Sequence, residues 1–466
     1  MAVNDGSAPG LTGAATQASM GAPRPTLKPR DVLAITVGIV IGAGIFRAPA
    51  LVAGEAGSEA AMLLAWTAGG LLSIIGALCY AELASTYPGM GGDYHFLHRA
   101  YGPRVAFLYG WARLAVIQTG SIALLAYVFG DYLAAVLPIG QHSSAIYAAA
   151  AVILIGAINW LGIRQGAFAQ RWLTVAEVSG LLLIVIAGLA LAPAVQPSAP
   201  PQHEGAIGLM MVFVLLTYGG WSETVYVSAE LQDGPRRLGR IMVAALALVT
   251  LLYLLANLAF LRALGLAGMA ASDAVAAEVM RRATGESGAV VISLLVSIAA
   301  LTSANATVIT GARTNCALGR SFPALRWLGF WDTDRDTPGN AVIAQSAVAL
   351  LLVIAGAFAR DGFQLVVEYT APVFWLFMLL IGLSLFILRV HDPAVERPVR
   401  VPLFPLLPAI FCLTNAYLLY SSLAYTGVGA IAGVAVLATG LLLLLFLRPQ
   451  RVESGHLEVS QKARSE

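Results

Sequence analysis

The sequence predicts an all-α polytopic membrane protein with about twelve transmembrane helices. Three observations carry this. Hydrophobic residues fill 59% of the 466 positions and charged residues only 11%, whereas a soluble domain carries about 25% charged residues. Apolar runs long enough to cross a bilayer as helices recur along nearly the whole chain. The short alternating segments that mark a β-barrel are missing. A mean hydropathy of +0.80 agrees.

In order, the expected spans are 31–54, 61–85, 104–137, 144–162, 171–192, 206–230, 239–262, 288–316, 340–359, 363–390, 402–424 and 427–447. The runs at 104–137 and 288–316 are long for one crossing, which implies a tilt or an extension beyond the bilayer. The connections 263–287 and 317–339 read as short linkers. Residues 1–28 are rich in Gly, Ala, Ser and Pro and lack the apolar core of a signal peptide. They read as a disordered cytoplasmic tail, and 448–466 as a second cytoplasmic tail.

Charge sets the expected orientation. The even-numbered loops and both tails hold 21 Lys and Arg, the odd-numbered loops five (Arg47, Arg262, Arg281, Arg282 and Arg360), and Arg113 lies inside a span. The positive-inside rule then puts both termini in the cytoplasm, with an even number of spans in the plasma or inner membrane. Cys79, Cys316 and Cys412 have neither disulfide nor metal-ligand spacing and read as small packing residues.

The first span is interrupted. Gly38, Gly42 and Gly44 crowd the stretch GIVIGAGIF at 38–46, and Pro49 ends it. Glycine and proline weaken a helix, and in lipid the freed backbone groups persist only where protein or a water-filled cavity satisfies them. A break facing a cavity and close packing through small residues explain the glycines equally well. The sixth span has a matching interruption, TYGGWSE at 217–223. Five spans separate the two, so equivalent helices run in opposite directions, which is the pattern of an inverted repeat. The expected units are 29–195 and 205–390, forming a core of two five-helix repeats at 29–390, with two further helices in 391–447.

A broken helix exposes N–H groups that favour an anion and carbonyls that favour a cation. Two antiparallel breaks at one depth therefore suit a zwitterion such as an α-amino acid. Gly42, Ala43, Gly44, Gly219 and Gly220 leave the backbone bare, and Leu216 and Trp221 are placed to cover a substrate side chain. Tyr218 reads as packing.

At these residues the sequence resembles the amino acid–polyamine–organocation (APC) superfamily, in particular its amino acid permease branch, whose fold is similar to that of LeuT. The resemblance spans roughly 30–420. It rests on GIVIGAGIF at 38–46, YAEL at 80–83, GGDY at 91–94, AYGP at 100–103, YGGW at 218–221, SAELQDGPRRLGR at 228–240, SANATVITGAR at 303–313 and ERPVRVPLFP at 396–405. Each motif is weak alone, but they share the family's order and spacing. The resemblance implies that a substrate carboxylate meets N–H groups around Ala43 and Gly44. It implies that the amine meets carbonyls near Val40 or Ile41 and those of Leu216, Thr217 and Gly219. Leu216 stands where many relatives carry an aromatic, so it gives less cover.

Glu177 is the main departure, because many relatives have a lysine there. A carboxylate within a span marks a functional site by default and is a candidate proton carrier, with Thr302, Ser303 and Asn305 of the eighth span placed to face it. Glu223, beside the sixth-span break, is the second candidate. Gln118 and Thr119 read as interhelical hydrogen-bonding groups, Glu82 and Glu230 as partners of loop arginines, and Arg47 as a residue that snorkels to the headgroups. His95 and His98 read as a surface pair.

The implied function is a secondary active transporter of amino acids working by alternating access, with a proton as the coupling partner and membrane lipid as its surroundings. Amino acid exchange, or transport of a polyamine or organic cation, stand as alternatives. No HExxH, nucleophile elbow or phosphate-binding Gly-Lys loop occurs, so nothing calls for enzymatic chemistry, a cofactor, a metal or nucleic acid.

Overall fold

The computed structural model describes residues 29–446 apart from 88–91, 163–166, 196–205, 231–236, 323–324, 336, 360 and 425–426. The two expected tails and the Gly91 position of the GGDY motif lie outside the described residues.

The framework is helical. Helix α1 (Pro29–Ile41) is followed by a 3-10 turn at Ala43–Phe46 and by α2 (Ala48–Glu55). Then come α3 (Glu59–Thr86), α4 (Gly92–Tyr101) and α5 (Pro103–Ala112), which runs through a π turn into α6 (Gln118–Val136). Next are α7 (Ser143–Trp160), α8 (Ala167–Ile186) with a π turn at Ala187–Leu191, and α9 (Ile207–Thr217), which gives way to a 3-10 segment at Trp221–Glu230. The second half holds α10 (Leu238–Ala270), α11 (Val275–Thr284), α12 (Glu286–Ser321), α13 (Gly339–Gly356), α14 (Gly362–His391), α15 (Leu406–Ala424) and α16 (Val428–Phe446).

Among the described residues ten helical segments are long and apolar enough to cross a membrane, and the bent pair Thr36–Phe46 and Ala48–Glu55 makes up to eleven. Val175–Leu191 is a shorter apolar helix in the range expected for the fifth span. A bilayer enforces this regularity, since backbone groups in lipid must be paired within their own helix.

Pro49 lies just past the interrupted stretch, in the first turn of α2, where a missing N–H costs nothing and the fixed φ suits a helix start. One expectation is corrected here. The 263–287 connection is not a plain linker. The span α10 bends at Gly265 (φ 66°), and α11 follows as a separate helix that buries Val275, Ala276, Val279 and Met280 at helical spacing.

Small residues bring the helices that frame the breaks together. A Cβ on Gly69 would run into Val214 and one on Gly70 into Thr250, so α3 touches both α9 and α10 along this stripe. At the periphery α16 is mostly exposed; it packs on α14 through Gly429 and Gly433, and Trp111 Nε1 donates to its Val436 O at 3.0 Å.

Candidate functional site

The two interruptions are real breaks, and they meet. Gly42 leaves helical geometry (φ 16°, ψ 170°) between α1 and the 3-10 turn, and the bent pair turns by 59°. In the sixth segment α9 stops at Thr217, and Gly220 takes φ 95°, a left-handed conformation that favours glycine. A Cβ on Gly220 would stand 2.9 Å from Ile39 Cγ2, and one on Gly44 would stand 3.5 Å from Thr217 Cγ2. Residue 39 thus faces 220 while 44 faces 217, so the two broken segments cross in antiparallel sense.

The carbonyl side of the breaks converges on a residue that sequence reasoning missed. The Tyr253 hydroxyl of α10 donates to Val40 O at 2.8 Å and lies 3.4 Å from Ile41 O and 3.3 Å from Thr217 O. One O–H therefore serves three carbonyls drawn from both breaks. The ring is fully buried against Trp66 and Tyr218, and the Tyr218 hydroxyl is spent on Trp66 O. Periodicity carries no sign of this, because a tyrosine in an apolar run reads as packing until its partner is known.

Around this junction Val40, Ile41, Ala43, Thr217 and Trp221 are buried, while Gly42, Gly44, Leu216, Gly219 and Gly220 keep partial exposure. Trp221 packs edge-on against Tyr80 at 5.0 Å. Gly219 and Trp221 also border a cavity between α3, α9, α14 and α15 that is lined further by Ser73, Trp375, Met378 and Asn415. No residue of the first break lines that cavity.

A family model described as amino acid permease matches residues 27–446. The chain belongs to the amino acid permease family. The permease is 32% identical to the mouse b(0,+)-type amino acid transporter 1 over 398 residues, covering 83% of its own length and 80% of the relative's. It is 30% identical to the mouse large neutral amino acids transporter small subunit 2 over 422 residues (87% and 78% covered). It is 26% identical to the Pongo abelii cystine/glutamate transporter over 414 residues (86% and 81%). The permease is a transporter, not an enzyme.

The remaining candidate residues divide. Glu177 of α8 is 5% exposed and has no hydrogen bond or ion pair among the described residues. It lies within electrostatic reach of the Tyr253 hydroxyl. The eighth-span residues expected to face it have bonds of their own. Thr302 Oγ1 donates to Ile298 O of its own helix at 2.9 Å, and Asn305 Oδ1 accepts from Asn159 Nδ2 of α7 at 2.6 Å. Ser303 contributes its carbonyl, which accepts from Thr307 Oγ1 at 2.8 Å. Hydroxyls and amides in a span satisfy themselves on a nearby carbonyl or amide, as Thr302 and Asn305 do here.

Glu223 is not a lone carboxyl, since buried Arg113 of the π turn donates to both its oxygens, at 3.0 and 3.2 Å. Arg113 also reaches the Tyr109 hydroxyl, which in turn donates to Asp93 of α4 at 2.8 Å. Burial, with the nearby Glu223 charge adding to it, pushes the Asp93 carboxyl up to about 6. Gln118 Nε2 bridges to Thr307 O at 2.9 Å and Thr310 Oγ1 at 3.2 Å of α12.

Arg47 does not snorkel. It is 4% exposed and meets three aspartates. Local sequence cannot show acids that are 84, 226 and 314 residues away along the chain, at positions 131, 273 and 361.

The Tyr253 arrangement makes a direct prediction. In Tyr253→Phe three buried carbonyls lose their shared donor, and an unmet buried polar group costs about 1–3 kcal/mol. The unliganded variant is expected to melt lower than the parent, and a saturating amino acid to restore part of the loss, because an ammonium brings its own donors. An unchanged melt without ligand would show that the hydroxyl holds nothing together.

Proposed function

We propose that the permease moves amino acids across the cytoplasmic membrane by alternating access around the two breaks, with both termini in the cytoplasm. The observation that carries this is the junction itself. Two antiparallel helix breaks bring carbonyls of both onto one buried hydroxyl, beside glycines that retain access. A substrate carboxylate is assigned to the N–H groups around Ala43 and Gly44. Its ammonium is assigned to the carbonyls of Val40, Ile41, Leu216, Thr217 and Gly219, where it replaces or joins the Tyr253 hydroxyl. Trp221 and Leu216 cover the side chain. The antiparallel crossing supports the reading of 29–195 and 205–390 as inverted repeats. Both the family and the names of its relatives support amino acids as substrates.

For the coupling mode we favour proton symport through Glu177, a buried carboxyl without a partner among the described residues, on α8, which packs against α10. Glu223 is the weaker candidate, because Arg113 already holds its charge. That pairing also counts against a polyamine substrate, which needs free carboxylates. One observation favours exchange instead. The Tyr253 hydroxyl offers one proton to three carbonyls, whereas a substrate ammonium offers three, so these carbonyls are better satisfied by substrate than by the protein.

Proteoliposomes separate these modes. With membrane potential clamped, an imposed inward proton gradient is expected to drive uphill uptake, and Glu177→Gln to abolish that drive while leaving counterflow. Uphill uptake that ignores the gradient, or uptake that occurs only against internal amino acid, would replace symport with exchange.

A further inference from the structure

We propose that the cavity between α3, α9, α14 and α15 is a second binding site, which takes a small uncharged molecule bearing one hydroxyl and acts on the sixth-span break from behind. Its action on transport rests on the alternating-access reading; its binding does not.

The cavity lies at the mid-length of the helices that wall it. Ser73 sits near the middle of α3, Trp375 of α14 and Asn415 of α15, and Gly219 follows the end of α9. The walls close tightly where they can. A Cβ on Gly76 would run into Phe411 and Trp221, so α3 is seated against α15 and the sixth-span segment together. Phe374 packs edge-on against Trp375, with ring centroids 4.8 Å apart, and so fixes the indole.

Two polar side chains in this wall have no hydrogen-bond partner among the described residues. They are the Ser73 hydroxyl, on a residue 3% exposed, and the Trp375 Nε1–H, on a residue 4% exposed. Their neighbours behave differently. Thr67 of α3 and Thr370 of α14 turn their hydroxyls back to Leu63 O and Val366 O, each at 2.8 Å. Asn415 Nδ2 is engaged by Phe411 O at 2.7 Å. Water does not reach the middle of a bilayer freely, so a polar group left unmet there is costly. A molecule that meets both groups removes that penalty.

The wall also defines the ligand. An indole N–H only donates, so the ligand has to bring an acceptor, while a serine hydroxyl either donates or accepts. One hydroxyl serves both, accepting from Trp375 and donating to Ser73. None of the lining residues is charged, which excludes an ion at this depth. Leu72, Leu215, Met378 and Leu418 make the rest of the wall apolar and call for an apolar body.

Gly219 and Trp221 connect this cavity to transport. Both line it, whereas no residue of the first break does. An occupant therefore touches the sixth break without entering the gap between the two breaks. Lodged there, it holds Gly219 and Trp221 where they are and resists any rearrangement of that span.

The probes are 1-hexanol and hexane, which differ by the hydroxyl alone, added to the full-length permease in detergent. 1-Hexanol should raise the melting temperature of the parent. In Ser73→Ala its half-saturating concentration should rise about fivefold, the worth of one hydrogen bond, while the response to hexane stays as it was. Trp375→Phe, which keeps an aromatic wall and removes the N–H, should weaken 1-hexanol likewise and stands in where the first variant is not recovered folded. In proteoliposomes 1-hexanol should lower the maximal rate of amino acid uptake by the parent without raising KM, and do so less in either variant. The same lipid in all three controls for effects on the bilayer. A melt that 1-hexanol leaves unmoved, or moves equally in parent and variants, would show that the cavity takes no such ligand and would overturn the site. Binding with no effect on uptake would overturn its action on the break. A parent that takes up no amino acid would count against the transport reading and leave the 1-hexanol melt standing.

Discussion

Gly44→Leu is expected to abolish the rise in melting temperature that an amino acid produces, while the protein still inserts and folds. At Gly44 a Cβ alone makes only ordinary contact with Thr217, 3.5 Å to Cγ2 and 3.7 Å to Cα. The residue is not among those with positive φ, so a larger side chain meets no backbone strain. The remaining carbons of leucine have to enter the gap between the breaks, where the substrate carboxylate is assigned. A ligand present at about 100 times its Kd stabilises by ~2.7 kcal/mol, and that is the signal at stake. Gly44→Ala is the control and should keep most of it. A Gly44→Leu protein that still responds would mean that the glycine serves packing and that the carboxylate binds elsewhere.

The second large effect falls on stability. Glu82 of α3 is 1% exposed, and its two oxygens accept from Arg389 Nε and Nη2 at 2.7 and 2.6 Å. Oε2 also accepts from Val401 N–H at 2.7 Å, and Arg397 Nε lies 3.6 Å from Oε1. This clasp joins α3, the end of α14 and the connection into α15. Removing one member of a buried pair costs about 3–5 kcal/mol, because the partner charge stays behind unmatched. Glu82→Ala should therefore lower the melting temperature in detergent more than any single loss of a surface ion pair. Glu82→Gln, which keeps an acceptor, should fall between it and the parent. If the alanine variant melts like the parent, the clasp contributes no net stability.

The spans are legible in the sequence because lipid imposes a simple rule, an apolar run for every crossing, and the helices fall where those runs lie. Both breaks are legible through glycines set in otherwise good helices. The rest depends on partners distant in sequence. Tyr253 sits in YLLANLAF, where nothing separates it from a packing tyrosine until Val40 O is seen beside it. Arg47 misleads for the same reason, since an arginine near a membrane edge with no acid nearby in sequence looks like one that reaches for water. The Arg113–Glu223 pair is likewise hidden in two separate segments. The loop helix α11 is a different case. VAAEVMRRAT carries its apolar residues at helical spacing, so periodicity marks it, but it is too short to stand out among runs of bilayer length.

The outer helix α16 carries a consequence of its own. Its indole anchor, Trp111, stands two residues before Arg113 on the segment that continues into α6 and ends near Asp131. A Cβ on Gly440 would run into the Trp111 ring, so ring and helix are in close contact. The other side of α16 is seated on α14, where Gly429 and Gly433 lie against Glu368 and Tyr369, so packing on two neighbours fixes its tilt. Through Trp111 the helix adjoins the segment that carries Arg113 beside the sixth-span break and Asp131 beside Arg47 of the first. Any movement of that segment has to carry the outer helix with it or break the indole contact.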